Sequence, residues 1–331
     1  MNNILLIRDN FDDQGQIPTE GRYCTSPDII CHKQFEFPEK TLIETYDTKK
    51  DIGERFYDGE QFNLIYTRLK NLSSTPQTAY IRLYHAASSL FMHPEVWKDN
   101  VIQSVYTRAD YTRTNMIAPG GIGVATEPFG FDPLSTQNHC HVCIASTTPE
   151  PPVIPPMRSI NDYIKWVHEN TNVSMRNISS WYTERASLES IKSIMDPFGK
   201  QGRVVIFADI TGFIPKGTRI ALKCEPLGIE SEEMISKDKT FHSASGTGHI
   251  YKDFQGFFQC YIYLPEGTTT KLFLNLDYMI ERDRSNDVAR EYCIHPRLLF
   301  DRHGCQANSA NYIEMVKVGQ CTDIFDVVNG K

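Results

Sequence analysis

The chain has 331 residues with 34 basic and 41 acidic side chains and a net charge of −7. It carries no basic block longer than a few residues, so nucleic-acid binding by phosphate neutralisation is disfavoured. The length suits two domains with a core each, and no apolar run approaches the ~20 residues of a membrane-spanning helix.

The start, MNNILLIRDN, lacks a basic n-region, and its apolar run Ile4 to Ile7 stops at Arg8 and Asp9. It reads as a first strand and not as a secretion signal, which places the chain in the cytoplasm at synthesis and leaves non-classical export open. Nine cysteines at irregular spacing read as reduced thiols rather than as a disulfide framework. After a polar loop, Thr25 to His32 reads as an extended stretch led by Pro27, and residues 41–60 as a loop with a weak strand.

In Phe62 to Lys70, Ile65, Thr67 and Leu69 fall on one face of a period-2 pattern and Tyr66, Arg68 and Lys70 on the other. A turn cluster ending at Pro76 follows, and then Ala79, Ile81 and Leu83 oppose Tyr80, Arg82 and Tyr84. This predicts an antiparallel hairpin with one wet face. Tyr66, Tyr80 and Tyr84 on that face are candidate contact residues. The glycine-rich Pro119 to Gly123 reads as a plain loop, because Pro128 soon after argues against the helix a phosphate cradle needs.

The run His139-Cys140-His141-Val142-Cys143 is the one cluster with zinc-ligand chemistry. Strand periodicity puts Cys140, Val142 and Ile144 on one face and His139, His141 and Cys143 on the other, which splits the cysteine pair. No cofactor or metal is therefore expected, and His139, Cys140, His141 and Cys143 are the only metal candidates. A proline-rich linker spans 147–156, and Ile160, Tyr163, Ile164 and Val167 share one face of a short helix near 159–168.

Several fragments in this order carry a likeness: Arg8-Asp9-Asn10, Ser26-Pro27-Asp28-Ile29, Asn63 to Asn71, Ile81 to Tyr84, Pro94 to Trp97, His141 to Ala145 and Asn172 to Asn177. Together they make residues 1–182 resemble the bacterial immunoglobulin-like, CARDB-type β-sandwich modules found beside peptidases and on cell surfaces. The resemblance implies an Ig-like sandwich used in adhesion, assembly or positioning, with no catalytic residues to carry over.

Beyond residue 182, Leu188, Ile191, Ile194 and Met195 keep helical spacing and predict a helical connector over 183–201. From residue 202 strand patterns return: Ile220 and Leu222, then Phe258, Cys260, Ile262 and Leu264, then Leu272, Leu274 and Leu276. They predict a second, jelly-roll-like sandwich over 202–331. His242, Ser243 and His249 lie in a Gly/Ser-rich stretch read as a binding loop. His295, His303 and Cys305 form no recognisable nucleophile set.

The expected fold is mainly β, two antiparallel sandwiches with short helical insertions. The expected function is non-enzymatic: self-assembly, adhesion or recognition, with a homo-oligomer or another protein or glycan as partner. The alternatives are an effector or toxin component binding a host receptor or glycan, and a zinc-dependent enzyme.

Overall fold

The computed structural model describes residues 3–33, 37–54, 63–87, 94, 97–132, 139–157, 160–178, 187–195, 202–212, 214–223, 234–235, 241–250, 255–281 and 315–327. The protein is mainly β, with antiparallel sheets packed in layers and two short helices. The first half contains β1 (Leu5–Leu6), β2 (Ile29–His32), α1 (Glu39–Glu44), β3 (Asn63–Asn71), β4 (Tyr80–Ala87), β5 (Val101–Ile102), β6 (Thr112–Arg113), β7 (Ile122–Val124), β8 (Phe129–Phe131), β9 (His139–Ser146), α2 (Ile160–His168) and β10 (Val173–Ile178).

Strand β3 is the centre of the first sheet. Its Lys70 lies between Leu6 of β1 and Ile122 of β7, and its Ile65 between Cys31 of β2 and Phe129 of β8. Pairs of short strands thus satisfy β3 along both edges. The second sheet runs β10-β9-β4, with β5 and β6 also on β4.

The hairpin expected from β3 and β4 does not form, because the two strands belong to different sheets. Asn71 explains the departure. Its side-chain amide donates to the carbonyls of Thr75, Ile117 and Ala118, which ties the turn to a neighbouring loop. The chain then crosses from one sheet to the other. The alternation nonetheless has the inner phase correct: Ile65 and Leu69 face Ile81, Leu83, Cys143 and Ala145 in one buried cluster between the sheets.

The expected wet face is covered as well. Tyr66 packs with Ile30, Leu42, Leu64 and Val124 under α1. That helix replaces the start of the loop and weak strand read over 41–60; residues 45–54 are turn and loop, and 55–60 lie outside the described residues. Its start was visible in Pro38 followed by Glu39, a rigid entry with an acid in the first turn. In the glycine-rich segment β7 passes so close to Ile117 that a Cβ on Gly123 would lie 2.3 Å from Ile117 Cδ1.

The second half contains β11 (Ser187–Met195), β12 (Gly202–Gly212), β13 (Arg219–Lys223), β14 (Met234–Ile235), β15 (Phe241–Ile250), β16 (Gln255–Tyr263), β17 (Thr270–Glu281) and β18 (Met315–Val327). They form two four-stranded sheets, β11-β16-β13-β14 and β15-β12-β17-β18. The helical connector is overturned: Ser187–Met195 is a strand in unbroken antiparallel register with β16 from Ser187↔Tyr263 to Met195↔Gln255. A long ladder partner outweighs a local helical period. Likewise Phe241–Ile250 is a strand paired along β12, not a loop. Its small residues cost strand propensity, but the ladder needs only their backbone. His295, His303 and Cys305 lie outside the described residues, as does Ser159, the residue before α2.

Ile220, Leu222, Cys260, Ile262, Leu272, Leu274 and Leu276 are buried in the phase their alternation predicts. They belong to one contiguous apolar cluster that continues through Phe325 into Met175, Val142, Tyr84, Trp97, Tyr163 and Val167 of the first half. The second sheet is therefore buried on both faces. One face meets the first sheet, and the other meets α2, Trp97 and the second half, with β10 and α2 lying against β18.

Candidate functional site

Strands β4, β9 and β10 are in register so that His85, His141 and Arg176 stand in one row across the second sheet. Residues in such a row share a face, and His139, two positions from His141, shares it too. His85 Nε2 and His139 Nδ1 are 2.9 Å apart, a single hydrogen bond whose donor is set by the tautomer. Phe131 of β8 closes the group, with its ring centroid 4.7, 5.1 and 4.9 Å from those of His85, His139 and His141. Burial pulls the His85 imidazolium down to about 4. It drives His141 well below the usual histidine range, with His85, His139 and Arg176 adding repulsion. His85 and His141 are therefore neutral rings at neutral pH.

Cys140 points away from this row into the large apolar cluster, where its thiol donates to Asn177 Oδ1. Cys143 lies in the cluster between the two sheets, where burial raises its thiol pKa. The strand thus separates the two sulfurs. Among the described residues no group of three or more His, Cys, Asp or Glu side chains is placed to hold a metal ion.

Arg176, at the end of the row, connects it to the second half. Its Nη2 donates to both oxygens of Asp51 at 2.9 and 2.8 Å, and its Nη1 to the Ser26 carbonyl at 2.9 Å. Lys271 of β17 sits 3.0 Å from Asp51 Oδ2 and donates to the Gly53 carbonyl at 2.8 Å. Burial alone would raise the Asp51 carboxyl, but Arg176 and Lys271 outweigh it and bring it down to about 2. A Cβ on Gly53 would lie 2.8 Å from Arg176 Nη2, so a glycine here lets the guanidinium approach the Asp51 turn.

A second charged cluster lies on the outer face of the first sheet. Asp28 accepts from Arg8 Nη2 at 2.6 Å, Arg8 Nε at 2.9 Å and Arg68 Nε at 2.9 Å, and all three side chains are buried. Arg68 also donates to the carbonyl of Leu42 and to Thr45 Oγ1, and Arg8 to the carbonyl of Tyr46 while stacking 3.6 Å above its ring. The fragments Arg8-Asp9, Ser26-Pro27-Asp28 and Asn63 to Asn71 are thus one assembly in space. Sequence reasoning missed it. The available signal was an arginine embedded in each of two strongly apolar strand runs, a position that demands a buried partner.

Of the three candidate tyrosines, Tyr66 and Tyr84 are buried, which corrects their assignment to an exposed face. Tyr84 packs edge-on against Trp97 with centroids 5.4 Å apart. Tyr80 is half-buried and meets Tyr111 at 5.7 Å, with the Arg82 guanidinium 5.2 Å from the Tyr111 ring. His242, Ser243 and His249 fall in β15, opposite Ile210, Asp209 and Arg203 of β12, and their side chains lie outside the described set.

No family model and no curated protein sequence matches the chain. Among solved structures it overlaps a red sea bream transglutaminase at 9% identity and a TM-score of 0.20, covering 73% of this chain and 32% of that one. The chain thus spans about a third of that protein's length. It overlaps CBD12 from CALX1.2 at 9% identity and a TM-score of 0.19, covering 66% and 75%. A third overlap is with the collagen binding domain of the Erysipelothrix rhusiopathiae surface protein RspB, at 8% identity and a TM-score of 0.15, covering 82% and 92%. Likenesses this distant carry neither fold nor function across.

Proposed function

We propose that the chain is a non-enzymatic structural or interaction protein that acts through its β-sandwich surfaces, by self-assembly, adhesion or recognition of another macromolecule. The observation that supports this reading most is the use made of its ionisable groups. Asp28 is locked between two arginines, Asp51 between Arg176 and Lys271, and the imidazoles of His85, His139 and His141 pack against Phe131. Groups held this way serve the fold, whereas an acid-base site keeps such groups open to a substrate. The resemblance of residues 1–182 to bacterial Ig-like, CARDB-type modules points the same way. A second reading, an effector that binds a host receptor or glycan, is favoured by the half-buried Tyr80–Tyr111 pair, an aromatic patch of the kind that anchors contacts, held from behind by the buried Arg82 guanidinium.

Light scattering on the reduced, chelator-free protein across a concentration series tests the first reading, with metal content measured on the same sample. A mass that grows with concentration, without bound metal, supports self-assembly. A monomer at all concentrations turns the search to partner capture, and one zinc per chain would overturn the non-enzymatic reading.

A further inference from the structure

The connection from β5 to β6 closes on itself as a braced loop. The Ser104 N–H donates to the Ala109 carbonyl at 2.9 Å and the Ala109 N–H to Ser104 Oγ at 3.2 Å. Ser104 Oγ and Thr107 Oγ1 share a hydrogen bond at 2.8 Å. From inside, Glu127 holds the tip: its carboxylate accepts the backbone N–H groups of Tyr106 and Thr107 at 2.9 and 3.0 Å and the Thr107 hydroxyl at 2.7 Å. Glu127 is itself 8% exposed. The Val105 N–H donates to the Pro128 carbonyl at 3.0 Å, which sews the loop to the chain entering β8.

The brace presents Tyr106, which is 63% exposed; no other aromatic ring among the described side chains stands so far into solvent. Arg108 has φ 54° and is the only non-glycine among the described residues with a positive φ. Such a backbone persists where its surroundings over-determine it, and it is often found at sites of contact. A loop already ordered can bury a tyrosine in a partner without the usual ordering cost. Tyrosine and arginine are also the side chains that concentrate contact energy.

The charge beside Tyr106 selects the partner. Arg108 and Asp110 are both exposed, and neither has an ion-pair partner among the described residues. A surface made for a strongly acidic or basic partner carries one sign. Here both signs stand two residues apart next to an aromatic ring, and such a patch matches its own copy across a twofold axis, where every contact is made twice. Arg113, exposed where its carbonyl accepts the Thr126 N–H beside the brace, adds a second cation. It lessens the repulsion between two chains of net charge −7.

We propose that the loop of residues 104–110 is a twofold contact between two copies of this chain: Tyr106 stacks on its counterpart near the axis, and Arg108 of each copy pairs with Asp110 of the other. The inference rests on the self-assembly reading and gives it a surface. A contact of this size makes a weak dimer, micromolar or weaker.

The test is sedimentation equilibrium on the intact, reduced chain. A reversible dimer is expected, weakened about tenfold or more by Arg108→Asp, by Asp110→Arg and by Tyr106→Ala. An equal mixture of the two charge reversals is expected to associate within about threefold of the wild type, because each mixed contact again joins opposite charges. All three side chains are exposed and aspartate tolerates a left-handed backbone, so thermal midpoints are expected to stay at the wild-type value. Should a reversal fail to fold, Tyr106→Ala alone decides. A wild-type monomer at concentrations up to about 1 mM overturns the proposal. So does a mixture that associates no better than either reversal alone. Association unchanged by Tyr106→Ala or by the single reversals also overturns it, and in that case self-assembly stands but proceeds through another surface.

Discussion

The two sheets of the first half are each buried on both faces, yet their outer faces are covered in opposite ways. The face carrying Tyr66 and Arg68 is closed by sequence-near material, α1 and the Tyr46 segment, fastened by Asp28 and two arginines. The face carrying Tyr84, Val142 and Met175 is closed by apolar packing against α2 and strands more than a hundred residues away. A six-residue helix offers little area, so its cover relies on directional, charge-assisted bonds. A whole second sandwich offers area enough to need few of them.

If the first cover depends on its ion cluster, Asp28→Ala should be the most damaging single change, leaving two buried guanidinium groups without their carboxylate. A loss of about 3–5 kcal/mol is expected in urea unfolding. A loss below about 1 kcal/mol would show that apolar contacts under α1 suffice. On the second cover, Met175→Ala should cost about 2–5 kcal/mol and lower the unfolding of both halves together in one transition. Two separated transitions would show that the shared cluster does not couple them.

Acid should sharpen the contrast further. The His85 and His141 pKa values are depressed in the folded state, so their contribution to stability is present above the unfolded histidine value near 6.5 and is lost as pH falls towards about 4. For His85, discounted for its partial exposure, this is roughly 2 kcal/mol. Asp51, lowered to about 2, holds its contribution down to about pH 4 and releases it between there and about pH 2. Thermal midpoints measured from pH 7 to about pH 2 should therefore fall in two steps, and His85→Leu should reduce the first and spare the second. The smallest effect is expected at Tyr80→Ala, about 0.5–1.5 kcal/mol from the lost Tyr111 contact, read by the same melts.

Much of the fold was legible in period-2 alternation. The buried sets Ile65/Leu69, Ile81/Leu83, Cys140/Val142/Ile144 and Leu272/Leu274/Leu276 follow from it, and the buried Tyr163, Ile164 and Val167 of α2 follow from helical spacing. What alternation does not encode is the partner. The same pattern fits a hairpin and a crossing between sheets, and Asn71 decided between them through bonds to residues about forty-six positions away. At Ser187–Met195 the local period favoured a helix and a distant ladder overruled it. The charged clusters were hidden for a related reason. Arg8, Asp28 and Arg68 lie twenty to forty residues apart, and Asp51, Arg176 and Lys271 lie farther apart still, so no window of sequence shows them as pairs.

The double burial of the second sheet bears on how this protein can be divided. A fragment ending near residue 182 would keep its strands and its first core, but it would turn Val142, Ile144, Val173 and Met175 towards water as a broad greasy plate. Asp51 would keep Arg176 but lose Lys271, the second of its two cationic partners. Such a piece would be expected to stick to itself, and its association would mimic a natural oligomer. Any mass measured on half of the chain would therefore report the cut surface and not the biology, which is why tests of assembly belong on the intact polypeptide.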